Sequence, residues 1–228
     1  MHLPGDERAE RFHRQALAIR EKTLGPDHPA TAQSLSNLGV LYRTQGRYEQ
    51  AEQLLKQSLS IHEQALGSKH PDTLMTFLNL AKLYAEQSKY EQAEQLLNQA
   101  LATSERVLEP GHPLIAHNLS LLARLSYEQG NYERAEMLWN RSLTILVKTL
   151  GPEHPTSAGR LDDLAELSFA QGRYAQAQSL CQRALSICEK TLGPEHPDTI
   201  AYREHLARIV SKRGAEQDDG HYPAPPPR

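Results

Sequence analysis

The chain has 228 residues, with 25 Lys and Arg against 28 Asp and Glu, a formal net charge of −3. No basic excess is available to track a phosphate backbone, so nucleic acid is not an expected partner. Apolar residues make up 39% and aromatics 6%, and no run approaches the ~20 apolar residues of a membrane-spanning helix, so no membrane partner is expected either.

The first residues, MHLPGDERAERF, hold no apolar stretch of the kind a secretory signal carries, and a cytoplasmic location is the default expectation. Residues 1–5 are expected to be flexible. Residues 6–23 read as one amphipathic helix, with Ala9 and Ala16 at small positions and Phe12, Leu17 and Ile19 on its apolar side. It corresponds to the second helix of a two-helix unit whose first helix does not precede it. Its apolar side is therefore expected to be partly uncovered, which favours self-association or fraying.

From there a repeat governs the chain. His-Pro occurs at His28, His70, His112, His154 and His196, always 42 residues apart, within the loops LGPDHP, LGSKHP, LEPGHP, LGPEHP and LGPEHP. Four full units follow, over residues 24–65, 66–107, 108–149 and 150–191. Each unit predicts two helices. The first carries a stripe such as Leu35, Leu38, Gly39 and Tyr42, and the second one such as Tyr48, Ala51, Leu54, Leu55, Leu59 and Ile61.

Gly25, Gly67, Gly151 and Gly193 suit the ends of second helices, and each His-Pro proline suits the first turn of the next helix. Gly46, Gly130 and Gly172 separate the two helices within a unit. The third loop places Glu109 where the others have Gly and is expected to close differently. Small residues (Gly39, Ala81, Ala123, Ala165 and Ala51, Ala93, Ala135, Ala177) let paired helices approach closely.

An amphipathic pair cannot bury its apolar face alone, so the pairs must stack in series. Residues 192–214 supply a last helix, in which Arg203, Glu204 and His205 replace apolar positions as a solvent-facing cap. Residues 215–228 are Pro-rich, have little to bury and are expected to be disordered. Their Pro223, Pro226 and Arg228 match a PxxPxR polyproline pattern, although composition alone also yields such a pattern.

The run Asn37, Leu38, Gly39, Tyr42, Gly46, Tyr48 and Ala51 resembles the tetratricopeptide repeat. With LAIREKTLGPDHP it is similar to the long repeats of kinesin light chains and of bacterial signalling proteins. The resemblance implies an all-α fold, a right-handed αα-superhelix of stacked antiparallel helix pairs. It also implies a protein-interaction scaffold that takes a peptide or partner protein in the concave groove lined by first helices. A sensor arm of a larger signalling protein is the alternative, and an enzyme comes last.

Read by spacing, the face opposite the packing stripe comprises Gln33, Ser36, Asn37, Val40 and Arg43, then Met75, Leu78, Asn79, Lys82 and Ala85. It continues with His117, Ser120, Leu121, Arg124 and Tyr127, then Gly159, Asp162, Asp163, Glu166 and Phe169. The expected groove contacts are Gln33, Asn37, Val40, Arg43, Met75, Asn79, Lys82, His117, Arg124, Tyr127, Asp163 and Glu166. In related peptide-binding repeats an Asn at the position of Asn37 and Asn79 bonds the ligand backbone, and an amide both donates and accepts. Leu121 and Asp163 interrupt that ladder. Ordinary solvated helix positions would look the same.

No catalytic residue, cofactor or metal site is expected. Phosphate-loop and GxSxG patterns are absent, the periodic histidines lie one repeat apart, and no HxH, HExxH or CxxC spacing exists. Cys181 and Cys188 read as buried small residues, and packing accounts for Trp139 and Met75.

Overall fold

In the computed structural model, which describes residues 4–219, ten α-helices follow one another and no strand occurs among the described residues. They are α1 (Pro4–Leu24), α2 (Pro29–Thr44), α3 (Tyr48–Leu66), α4 (Pro71–Glu86) and α5 (Tyr90–Val107), then α6 (Pro113–Glu128), α7 (Tyr132–Leu150), α8 (Pro155–Ala170), α9 (Tyr174–Thr191) and α10 (Pro197–Asp219). Every first helix of a repeat starts at the proline of its His-Pro pair. Within each of two compact units, consecutive helices pack against one another, giving the expected all-α fold.

The chain divides into two compact units, residues 1–110 and 111–228, the division falling in the divergent third loop. In the first unit α1 packs on α2, α2 on α3, α3 on α4 and α4 on α5, and α2 also meets α4. In the second, α6 packs on α7, α7 on α8, α8 on α9 and α9 on α10. The cores follow the apolar stripes. Leu35, Leu38, Tyr42, Ala51 and Leu55 are buried in one, and Leu119, Leu122, Ala123, Ala135 and Trp139 in the other.

The His-Pro motif has a function that spacing did not disclose. Each of His28, His70, His112, His154 and His196 accepts a hydrogen bond at Nδ1, at 3.1–3.2 Å, from the backbone N–H two residues on. Histidine thus caps the helix as Ser or Asp usually does, and proline, lacking an N–H, occupies the position that needs no partner. Thr31, Thr73 and Ser157 close the same loop by donating to the carbonyls of Gly25, Gly67 and Gly151 at 2.8–3.1 Å.

A second recurring device ties three of the second helices, α1, α3 and α7, to the turn inside the next helix pair. Arg47 pairs with Glu10, Lys89 with Glu52 and Arg173 with Glu136. The hydroxyls of Tyr42 and Tyr84 donate to those first two glutamates at 2.9 and 3.1 Å.

Several expectations are refined. The third loop does close differently: α5 ends at Val107, Leu108 is extended, and the Gly111 carbonyl accepts from Thr149 at 2.9 Å. Helix α1 begins at Pro4 rather than at residue 6. The last helix continues past Gly214 to Asp219, because Ala and Glu are strong helix formers and one interior glycine costs only ~1 kcal/mol. Residues 215–219 of the expected disordered tail are therefore helical, whereas residues 1–3 and the PxxPxR segment lie outside the described residues. At the turn between α4 and α5, Ser88 takes φ 59°, in register with Gly46, Gly130 and Gly172.

Candidate binding face and buried donor cluster

The first helices of the first unit have one uncovered stripe each. Along α4, Thr73, Leu74, Thr76, Phe77, Leu78, Leu80, Ala81, Leu83 and Tyr84 are buried. Asp72, Met75, Asn79, Lys82 and Glu86 are exposed or half-buried, with spacings of three and four that place them on one helical line. Along α2 the corresponding line is Gln33, Asn37, Val40 and Thr44. Asn79 donates from Nδ2 to Ser36 Oγ at 3.2 Å and Arg43 pairs with Glu86, which sets the two lines side by side.

These contacts sort the predicted residues. Asn37 is exposed and accepts from Gln33 at 2.9 Å, Val40 is half-buried, and Met75 is 39% exposed, so packing does not explain that methionine. Arg43, expected on the groove, is buried at 9% exposure and committed to Glu86, while Ser36 and Leu78 are buried as well. Arg43 and Ser36 share a cause: each meets the first helix one repeat on, through Glu86 and Asn79, which a single-helix projection cannot include. A cleft of about 390 Å³ also lies against α1, lined by Arg14, Leu17, Leu38 and Tyr42 among others, and no predicted site residue lines it.

In the second unit His117 and Arg124 are exposed on α6, and Arg124 pairs with Glu128 one turn on at 3.2 Å. Tyr127 is not a free contact. Its ring packs 5.5 Å from Tyr132 and 5.8 Å from Trp139, and burial pushes its phenol above the ordinary range, with the Glu166 charge adding to this. Ser120 is buried too. Asp163 pairs with Arg160 at 3.0 Å, and burial raises its carboxyl to about 6 against the pull of Arg160 and Arg124.

Glu166 and Asp162 are drawn toward α10. His205, expected to face solvent, has only 9% of its side chain exposed, and its Nδ1 lies 2.7 Å from Asp162 Oδ1. Its Nε2 lies 3.0 Å from Glu166 Oε2, out of line for a hydrogen bond, and Arg208 also pairs with Glu166. Burial alone would lower the imidazole, but the hydrogen bond to Asp162 and the neighbouring Cys181 and Glu166 outweigh it and raise it to about 11. The His205 ring 3.0 Å away holds Glu166 below the usual carboxylate range against burial, helped by Arg208.

Cys181 and Cys188 are buried and free, as expected. The Cys181 Sγ lies 3.6 Å from Asp162 Oδ1 and 3.4 Å from the Tyr202 carbonyl, and burial raises its thiol. Donor atoms of Asp162, Cys181 and His205 all fall within 4.8 Å of one another. The three residues lie far apart in the sequence, outside any short metal-ligand spacing. A signal existed: Asp162 and His205 are offset like Ser36 and Asn79, the separation that brings neighbouring first helices into contact.

Comparison with known proteins agrees with the repeat. The family model described as the MalT-like TPR region matches residues 6–204. A kinesin light chain-type protein of Podosopora anserina with nearly identical TPR-like repeats is 31% identical, with 84% of this chain and 90% of that one covered and a TM-score of 0.68. BtubC (BKLC) from P. vanneervenii shares the fold at 20% identity, with 98% and 96% covered and a TM-score of 0.74. Aspartyl phosphate phosphatase F from Bacillus subtilis does so at 14% identity, with 92% and 52% covered and a TM-score of 0.72. No curated protein matches significantly.

Proposed function

The chain belongs to the MalT-like TPR region family, and from that premise we propose that it is a non-catalytic scaffold whose first unit binds an extended peptide segment of a partner protein along α2 and α4. The observation that carries the reading is the uncovered line Asp72, Met75, Asn79, Lys82 and Glu86 on a helix whose other positions are largely buried. That line offers an amide, a flexible thioether and charges of both signs. The amides of Asn37 and Asn79 suit a peptide main chain, Met75 adapts to an apolar side chain, and Asp72 and Lys82 fix direction through charge.

Arg43 and Tyr127 take no part in this reading, since each is committed to the scaffold. Asn37, Met75 and Lys82 carry the specificity. His117, Arg124, Asp163 and Glu166 stand on the second unit and are not needed for this site.

The test is selection of binding peptides against the full chain, followed by titration of the best peptide against variants. Asn37→Ala combined with Lys82→Glu should weaken binding at least ~10-fold while the melting temperature stays within ~2 °C. Met137→Glu, at a position 67% exposed on α7, should leave binding unchanged. Normal binding by the double variant together with loss in Met137→Glu would move the site to the second helices.

Self-association is a second reading, favoured by Phe12 at 50% and Ile19 at 62% exposure on α1. Sedimentation at rising concentration, with Phe12→Ser as the comparison, decides it.

A further inference from the structure

We propose that Asp162, Cys181 and His205 form a binding site for one divalent transition cation of the zinc class, held between α8, α9 and α10. Each helix supplies one donor, and the three donor atoms lie within 4.8 Å of one another. Cys181 is fully buried and His205 nearly so, while 23% of the Asp162 side chain remains exposed. A cation there is surrounded by protein and reached past one carboxylate.

The donor chemistry selects the ion. A thiolate, an imidazole and a carboxylate suit zinc or cobalt, whereas magnesium and calcium prefer oxygen alone. With bonds of ~2.3 Å to sulfur and ~2.0–2.2 Å to nitrogen and oxygen, a tetrahedral ion separates its donors by roughly 3.3–3.6 Å. The Cys181–Asp162 edge, at 3.6 Å, already has that length. The His205–Asp162 edge is 2.7 Å, the length of a hydrogen bond, and opens by roughly 0.6–0.7 Å when the ion replaces the shared proton. Three protein donors leave a fourth position for water.

Two further features separate this cluster from an ordinary ion pair under a terminal helix. The register equivalents of Cys181 in the other repeats are Leu55, Leu97 and Trp139, those of Asp162 are Ser36, Leu78 and Ser120, and those of His205 are Asn37, Asn79, Leu121 and Asp163. All three donors therefore coincide in one place along the chain. An ion pair needs no thiol. Behind the imidazole, Glu166 stands 3.0 Å from the second ring nitrogen, where a carboxylate orients a ligating histidine and strengthens it as a donor.

The test is titration of the full reduced chain with Co²⁺ and Zn²⁺. Cobalt should produce an intense thiolate-to-metal charge-transfer band and the visible absorption of a tetrahedral site at one equivalent, and zinc should displace it. Cys181→Ser should abolish the charge-transfer band and weaken binding by more than the ~10–100-fold typical of an outer-shell change. His205→Gln should weaken it comparably, and Glu166→Gln by ~10–100-fold with the band retained. Cys188→Ser, two turns further along α9, should bind as the parent does.

Because Cys181→Ser could unfold the terminal helix, alkylation of the unsubstituted chain serves as an independent measurement. Zinc, and not magnesium, should slow modification of Cys181 at least ~10-fold relative to Cys188. A cobalt complex without a charge-transfer band, metal binding unchanged by Cys181→Ser, or equal alkylation rates with and without zinc would each overturn the assignment.

Discussion

Removing Tyr127 separates packing from recognition on the second unit. The residue lies at a position that spacing assigns to a binding groove, yet its ring contacts Tyr132 and Trp139 at centroid distances of 5.5 and 5.8 Å and borders the cluster of Ala123, Ala135, Trp139, Leu164 and Leu167. Full truncation of a wholly buried aromatic costs ~3–5 kcal/mol. Tyr127 is half-buried, which scales that to ~1.5–2.5 kcal/mol for Tyr127→Ala, a cost that already contains the loss of its two aromatic contacts. Tyr127→Phe keeps the ring and should cost no more than ~1 kcal/mol. Urea denaturation followed by the emission of Trp139, the single tryptophan, reads the second unit directly, and far-ultraviolet circular dichroism checks it. A change within ~0.5 kcal/mol for Tyr127→Ala would refute the packing argument and return this residue to the free surface.

Three further outcomes follow from the repeat. His70→Ala removes the acceptor that caps α4 and should cost ~0.5–2 kcal/mol in chemical denaturation, whereas His70→Ser should recover most of it; equal losses would show that the imidazole acts through something other than its cap. Ser88→Gly should stabilise the first unit by ~0.5–1 kcal/mol, because φ 59° strains a residue with a Cβ; a lower melting temperature would contradict this. His62 is buried, with Nδ1 3.0 Å from Thr76 Oγ1 and Nε2 3.2 Å from the Pro29 carbonyl, and burial lowers its pKa below the ordinary ~6.5. Above ~6.5 neither state holds the proton, but as pH falls below that value the unfolded chain takes it first and the fold loses stability. His62→Gln should remove that loss, so the stability difference between variant and parent should change between about pH 7 and 5; a difference flat across this range would refute the assignment.

The sequence by itself determined the 42-residue period, the helix starts at each His-Pro pair and the small residues between paired helices. These depend on information local to one helix or one loop: a 3.6-residue period fixes which side is apolar, proline fixes an N-terminus, and a recurring motif repeats the result. It also placed Asn37 and Lys82 on the surface, since positions opposite a packing stripe start out exposed.

Only the tertiary structure decided which of the opposite-face residues stay exposed. Arg43 and Tyr127 lie off the stripe, but a second neighbour covers each: α4 pairs Arg43 through Glu86, and aromatic rings on α7 flank Tyr127. Asp162 and His205 meet because first helices lie beside one another one repeat apart, and Cys181 joins them from α9. A helical projection contains one axis, whereas burial and donor clustering depend on where the neighbouring axes run. The histidine caps lie between these cases: their spacing was plain in the sequence, but their hydrogen bonds needed the backbone to turn back toward Nδ1.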